Sequence, residues 1–210
     1  MQTGRFITLE GGEGAGKSTQ TRLLADALEQ LGLPVLRTRE PGGAPGAEAL
    51  RSLLLGGAVD WAPQAETLLH FAARAEHVEK TIRPALAAGM WVVCDRFFDS
   101  TMAYQGYGQG ADRNMIVALT GLLRLTPDVT IILDVSEPVA TARQIKRGSH
   151  ADRYERLDAL FHARANQGFR DIAKAAPERC VLIAGDGTES DVHAAIMRAL
   201  RQRLALPDRT

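Results

Sequence analysis

Phe6-Ile7-Thr8-Leu9-Glu10-Gly11-Gly12-Glu13-Gly14-Ala15-Gly16-Lys17-Ser18-Thr19 decides the fold. Its first five residues read as a short strand. Gly11 to Ser18 fits G-x-x-x-x-G-K-[ST], and helical spacing of Leu23, Leu24, Ala27, Leu28 and Leu31 follows at once. Glycines let such a loop curl so that its N–H groups, from Gly11 through Thr19, face oxygen anions, and the helix N-terminus adds a favourable partial charge. Lys17 is placed to reach β- and γ-phosphates, and Ser18 to ligate Mg²⁺. One residue jars. Glu13 puts a carboxylate inside the loop, and at ~5 Å and an effective dielectric of ~20 two like charges repel by a few kcal/mol. Either Glu13 turns away from the bound phosphates, or the loop is not the phosphate loop that its glycines and lysine spell.

Outward from the loop, strands alternate with helices. Val35 to Thr38, Trp91 to Cys94, Val129 to Val135 and Val181 to Ala184 read as strands. Lys17 to Leu31, Ala47 to Leu55, Gln64 to Ala88 (with Pro84 as a kink point), Asp112 to Leu125, Pro138 to Lys146, Leu157 to Ala175 and Glu189 to Leu204 read as helices. Most strands are near-continuously apolar, the mark of a parallel sheet covered on both faces, hence an α/β fold. Arg147 to Arg156 is too charged for a core element and reads as an inserted lid. No internal repeat, low-complexity tract or linker interrupts the 210 residues, which fit one domain, 1–210.

Bulk composition narrows the partners. The 25 basic and 25 acidic residues cancel, so no whole-molecule field draws nucleic acid. Cys94 and Cys180 are far apart and each abuts an apolar strand, so both read as buried thiols. The start carries no long apolar stretch, and no run of 18 apolar residues occurs, so a soluble cytoplasmic protein without a membrane partner is expected.

Three more stretches lie where ligands bind, beyond the carboxyl ends of strands. Arg39-Glu40-Pro41-Gly42-Gly43 follows the second strand. Asp95-Arg96-Phe97 follows the third; the Asp suits a Mg²⁺ shell, and the Arg can fork onto a phosphate. In Ser100-Thr101-Met102-Ala103-Tyr104-Gln105, helical spacing puts Thr101, Tyr104 and Gln105 on one face, able to read a nucleobase and sugar.

EGGEGAGKST, TREPGG, FAAR, CDRFFDSTMAYQGYGQG and RGSHADRYE, in that order, resemble the bacterial thymidylate kinase family over nearly the whole chain. The resemblance implies a P-loop kinase fold: three layers, a five-stranded parallel sheet flanked by helices, and a short lid insertion at about 147–156. It implies γ-phosphoryl transfer from ATP to dTMP with Mg²⁺ held by Ser18 and Asp95, and a homodimer. Arg96 and Arg51 would hold the acceptor phosphate, with Arg39 and Glu40 lining its site. Arg74 would donate to a thymine carbonyl, Gln105 and Thr101 would meet the base edge beside Ser100, and Tyr104 would crowd the 2′ position. Glu13 would face the acceptor sugar and phosphate. Gly185 to Thr188 would edge the adenine.

One position departs from the pattern. Many relatives have a stacking Phe four residues before the base-reading Arg. Here that position is His70, with Phe71 next to it, and either ring could stack. Because Glu13 occupies the loop, the lid must supply a cation to the transferring group, with Arg153 first in line, then Arg147, then Arg143. A phosphate acceptor is mostly dianionic at neutral pH, so no catalytic His is needed; positioning and charge neutralisation by Lys17, Asp95 with Mg²⁺, Arg96 and the lid carry the reaction. The remaining histidines show no metal-ligand spacing. A nucleoside monophosphate or deoxynucleoside kinase with relaxed base choice is the alternative. No [NT]-K-x-D guanine-reading motif marks a nucleotide switch.

Overall fold

The computed structural model describes residues 4–148, 153, 154 and 157–207, and the Arg147 side chain is outside that description. Five parallel strands form one sheet in the order β2-β3-β1-β4-β5. They are β1 (Phe6–Gly11), β2 (Val35–Arg39), β3 (Trp91–Asp95), β4 (Val129–Asp134) and β5 (Cys180–Ala184). The helices are α1 (Lys17–Gln30), α2 (Pro45–Leu55), α3 (Pro63–His77), α4 (Arg83–Ala87), α5 (Phe98–Thr101), α6 (Arg113–Leu122), α7 (Glu137–Arg147), α8 (Ala159–Ala175) and α9 (Glu189–Arg203).

Central strands β1, β3 and β4 are buried almost throughout, as continuous apolar runs require. Edge strands β2 and β5 are only partly buried, because each has a neighbour on one side alone. On one face Ile7, Leu9, Ile131 and Leu133 pack against Leu24 and Leu28 of α1 and Ile196 and Leu200 of α9. On the other, Phe6, Val92 and Cys94 pack with Phe97, Ile82 and Ile116, and Ile132 packs with Tyr104, Phe161 and Phe169. The expected three layers are present.

Two helices differ from the sequence-based expectation in the same way. The long helix from Gln64 to Ala88 is not uniform: α3 widens into a π-turn over Val78–Ile82 before α4 resumes. Pro84 withholds an N–H from the ladder, and the break is taken up as a wide turn ahead of it. α5 likewise opens into a π-helical stretch, Met102–Gly108. That wide stretch lies close to α8. A Cβ on Gly108 would meet the Phe161 ring at 2.5 Å, and one on Gly168 would meet the Tyr107 ring at 2.8 Å. Only glycines permit this approach. α8 begins at Ala159, two residues later than expected, after the cap Asp158, which accepts from the Phe161 N–H at 2.7 Å. Most of the segment 147–156, expected to form a lid, lies outside the described residues.

Leu24 is fully buried between α1 and the sheet. Leu24→Ala should lower unfolding free energy by about 2–5 kcal/mol, read from denaturant midpoints.

Candidate active site

Two cavities meet at the carboxyl end of the sheet. The larger, about 1830 Å³ of empty volume including its open mouth, is lined by Glu13 to Thr19, Asp95, Arg143 and residues 187–189. The smaller, about 510 Å³ on the same measure, is lined by Leu55, His70, Arg74, Ser100, Thr101, Tyr104, Gln105 and Tyr154. Glu40, Arg51 and Arg96 line both.

The loop between β1 and α1 turns through Gly14 and Gly16 at φ of 72° and 88°. Gly12 lies behind it, its carbonyl accepting from Lys17 Nζ at 2.6 Å. Burial lowers the Lys17 ammonium to about 8, with the Arg96 charge acting in the same direction. Ser18 Oγ donates to Asp95 Oδ2 at 2.6 Å, so the last residue of β3 and the first turn of α1 bring two oxygen donors together.

Arg96 follows Asp95 in a left-handed conformation, φ 69°. Its backbone N–H donates to Leu9 O at 2.9 Å. Its guanidinium donates to Glu13 Oε1 at 2.5 Å, Tyr104 Oη at 3.1 Å, Ser100 Oγ at 3.2 Å and Gly11 O at 3.2 Å. Tyr104 Oη also donates to Glu13 at 2.8 Å. Glu13 has thus turned out of the loop towards the smaller cavity's wall. Burial, reinforced by the Glu13 carboxylate and opposed by Arg96, leaves the Tyr104 phenol well above its usual range.

Beneath Arg96 lies Glu10, fully buried on β1. It accepts from the Phe97 N–H at 2.7 Å and from Ser100 Oγ at 2.5 Å. Burial, then the Asp99 charge, pushes its carboxyl up to about 8.

Glu40 accepts from Arg74 Nε at 2.6 Å and contacts His77 Nδ1 at 3.0 Å. Arg74 also donates to Phe97 O and Thr101 Oγ1, at 3.0 and 3.1 Å. Its Nη1 is buried without a hydrogen-bond partner. The Phe71 ring lies 4.8 Å below that guanidinium, inside the core, so His70 and not Phe71 stands on the cavity wall. Burial lowers His70 to about 3 and keeps it neutral. Arg51 and Arg39 both donate to Pro41 O, at 2.7 and 3.1 Å.

The lid arginines are arranged differently from expectation. Arg153 pairs with Glu66 and reaches Asp60 at 3.3 Å; it lines neither cavity. A fully buried carboxylate on α3 claims it before the phosphate loop can. The Arg147 side chain is not described. Arg143, last in the expected order, lines the larger cavity, donating to Gly185 O and Gly187 O at 2.8 and 3.1 Å.

The thymidylate kinase family model matches residues 9–196. The chain belongs to the thymidylate kinase family. It is 51% identical over 207 residues to the thymidylate kinase of Gluconobacter oxydans, covering 97% of both chains. It is 50% identical over 209 residues to that of Caulobacter vibrioides, covering 98% of this chain and all of the other. A crystal structure of thymidylate kinase from Ehrlichia chaffeensis superposes with a TM-score of 0.79 at 38% identity, covering 95% of this chain and 99% of that one.

Sequence reasoning passed over Tyr154, which lines the smaller cavity, and over Glu10, Glu66 and His77, which are hydrogen-bonded to the cavity-lining Ser100, Gln105 and Glu40. Glu66, His70 and Arg74 are spaced i, i+4, i+8 on α3, a signal that could have revealed the first.

A lysine held below its usual pKa destabilises the folded state wherever the unfolded chain binds the extra proton. That cost is full below about 8 and vanishes as pH rises through 10.5. Lys17→Met should therefore raise the ligand-free melting temperature at pH 7, lose that advantage progressively between pH 8 and 10.5, and abolish phosphoryl transfer. Melting scans against pH check it.

Proposed function

We propose that the chain transfers the γ-phosphoryl group of ATP to dTMP, giving dTDP. The meeting of the two cavities at Arg96 carries this reading. One cavity is built from a phosphate loop, the other from groups that suit a base and sugar, and the guanidinium groups of Arg96 and Arg51 line both.

On the donor side, loop N–H groups and Lys17 bind the triphosphate. The hard oxygens of Ser18 and Asp95, 2.6 Å apart, fit Mg²⁺, which when bound neutralises charge on the β- and γ-phosphates. On the acceptor side, Arg51 and Arg96 hold the dTMP phosphate, with Arg39 and Glu40 beside it. Glu13 takes a sugar hydroxyl, and the Tyr104 ring crowds the 2′ position. His70 stacks on the base, between the donor Arg74 and the amide of Gln105. The acceptor phosphate is itself the nucleophile and arrives ionised, so the residues orient and neutralise without removing a proton. Arg143 and Arg147 of α7 supply cationic support to the transferring group, and Arg153 serves the base end.

The reading is tested with purified protein, ATP and Mg²⁺ over dTMP, dUMP, dCMP, AMP and thymidine. dTMP should be turned over fastest; equal or faster turnover of another acceptor overturns it.

We also propose a homodimer working in the cytoplasm, with no nucleic-acid partner. Leu68 on α3 and Val117 and Leu122 on α6 are 51, 61 and 76% exposed, which favours a second copy covering these helices. Sedimentation should give twice the chain mass, and Val117→Glu with Leu122→Glu should halve it.

A further inference from the structure

Glu66 lines neither cavity, yet four side chains converge on its fully buried carboxylate. Oε1 accepts from Gln105 Nε2 and Gln109 Nε2, each at 2.8 Å, and from Tyr154 Oη at 2.9 Å. Oε2 accepts from Arg153. Such convergence has a directional consequence. A carboxylate in an ion pair offers only acceptors, so each neutral group touching it must turn its N–H or O–H inward.

For Gln105 this is decisive. Its Nε2 has two hydrogens: one goes to Glu66, the other to Tyr154 Oη at 3.3 Å. The reversed amide would set Oε1 against a carboxylate oxygen. Oε1 is therefore the atom left for the cavity that Gln105 lines. Tyr154 has one hydroxyl proton, and Glu66 takes it, so His70 Nε2, 2.7 Å from Tyr154 Oη, must be the donor in that contact. One buried carboxylate sets the hydrogen-bond sense of three cavity-lining side chains.

We infer that Glu66 is the positioning residue that determines base preference, by fixing the Gln105 amide with its oxygen towards the base. This rests on the dTMP reading above. With Arg74 donating and Gln105 accepting, the wall complements a ring that carries an N–H beside a carbonyl. A ring with an unprotonated nitrogen beside an amino group meets acceptor against acceptor and donor against donor. Glu66 thus acts on specificity without touching the substrate.

Glu66→Gln tests this. A carboxamide at position 66 gives its oxygen to Arg153 and turns its NH₂ towards Gln105, whose amide then reverses and presents NH₂ to the base. The acceptors compared are dTMP and 5-methyl-dCMP, which share the methyl group and sugar and differ only at the hydrogen-bonding edge. Wild type should prefer dTMP in kcat/KM. E66Q should lower that preference roughly 100-fold or more, since loss of a matched hydrogen-bonding group is worth up to about 10⁴–10⁵ in discrimination. In the swap E66Q/Q105E, the carboxylate at position 105 accepts from the new amide and again presents an oxygen to the base, so the preference should return.

A wild type with no preference for dTMP refutes the proposed function itself. A wild type that prefers dTMP, with a folded E66Q that keeps the same ratio, overturns the inference and leaves the function standing. If circular dichroism shows E66Q unfolded, the swap carries the test: retained dTMP preference supports the inference, and lost preference overturns it.

Discussion

Everything around the reacting centre depends on where one guanidinium is held. Arg96 leaves β3 in a left-handed turn, pinned by its own N–H to β1 and by the Phe97 N–H to Glu10. Such a backbone costs of order 1 kcal/mol or more for a residue with a Cβ, so it persists only where the surroundings over-determine it. Here they do. Glu10 holds the next peptide and, through Ser100, one edge of the guanidinium; Glu13 and Tyr104 hold the other. The same turn leaves Asp95 against Ser18, so donor-side and acceptor-side groups take their spacing from one bend at the end of one strand.

The acid in the phosphate loop is accounted for by that arrangement. A carboxylate pointing at bound phosphates would oppose them; bonded to Arg96 and Tyr104, it instead neutralises a buried cation and holds a phenol upright. The loop's anion-binding N–H groups are left to the ligand. Charge is balanced nearby in the same way: Arg179 donates to Asp99 at 2.7 and 3.0 Å and to Thr130, beneath α5. The buried charges around Glu10, Arg96 and Asp99 thus sit in connected networks, which a low-dielectric interior favours.

The framework was readable from sequence where physics is local. Apolar runs marked the strands, the glycine-lysine loop marked the start of α1, and i, i+3, i+4 spacing marked Thr101, Tyr104 and Gln105 as neighbours. What escaped was set by distance along the chain. Arg153 was expected at the transferring phosphate because Glu13 leaves the loop without an arginine of its own, but its partner Glu66 lies 87 residues earlier, beyond any local pattern. The π-turns escaped because helical periodicity does not distinguish a turn widened by one residue. The choice between His70 and Phe71 needed the core: adjacent residues on a helix point about 100° apart, and only packing showed that Phe71 supports Arg74 from below.

The cysteines draw one more consequence from the sheet. Cys94 is wholly buried on central β3, and burial raises its thiol well above the usual range; Cys180, on edge strand β5, is raised to about 12 by burial and by Asp99. Neither forms appreciable thiolate while the strands are paired, so both are silent towards alkylating reagents in the intact molecule. Their sulfurs become reactive only as the sheet parts, one near its centre and one at its rim. The molecule thus carries two internal clocks, and their relative rates would time whether the edge strand peels away before the centre opens.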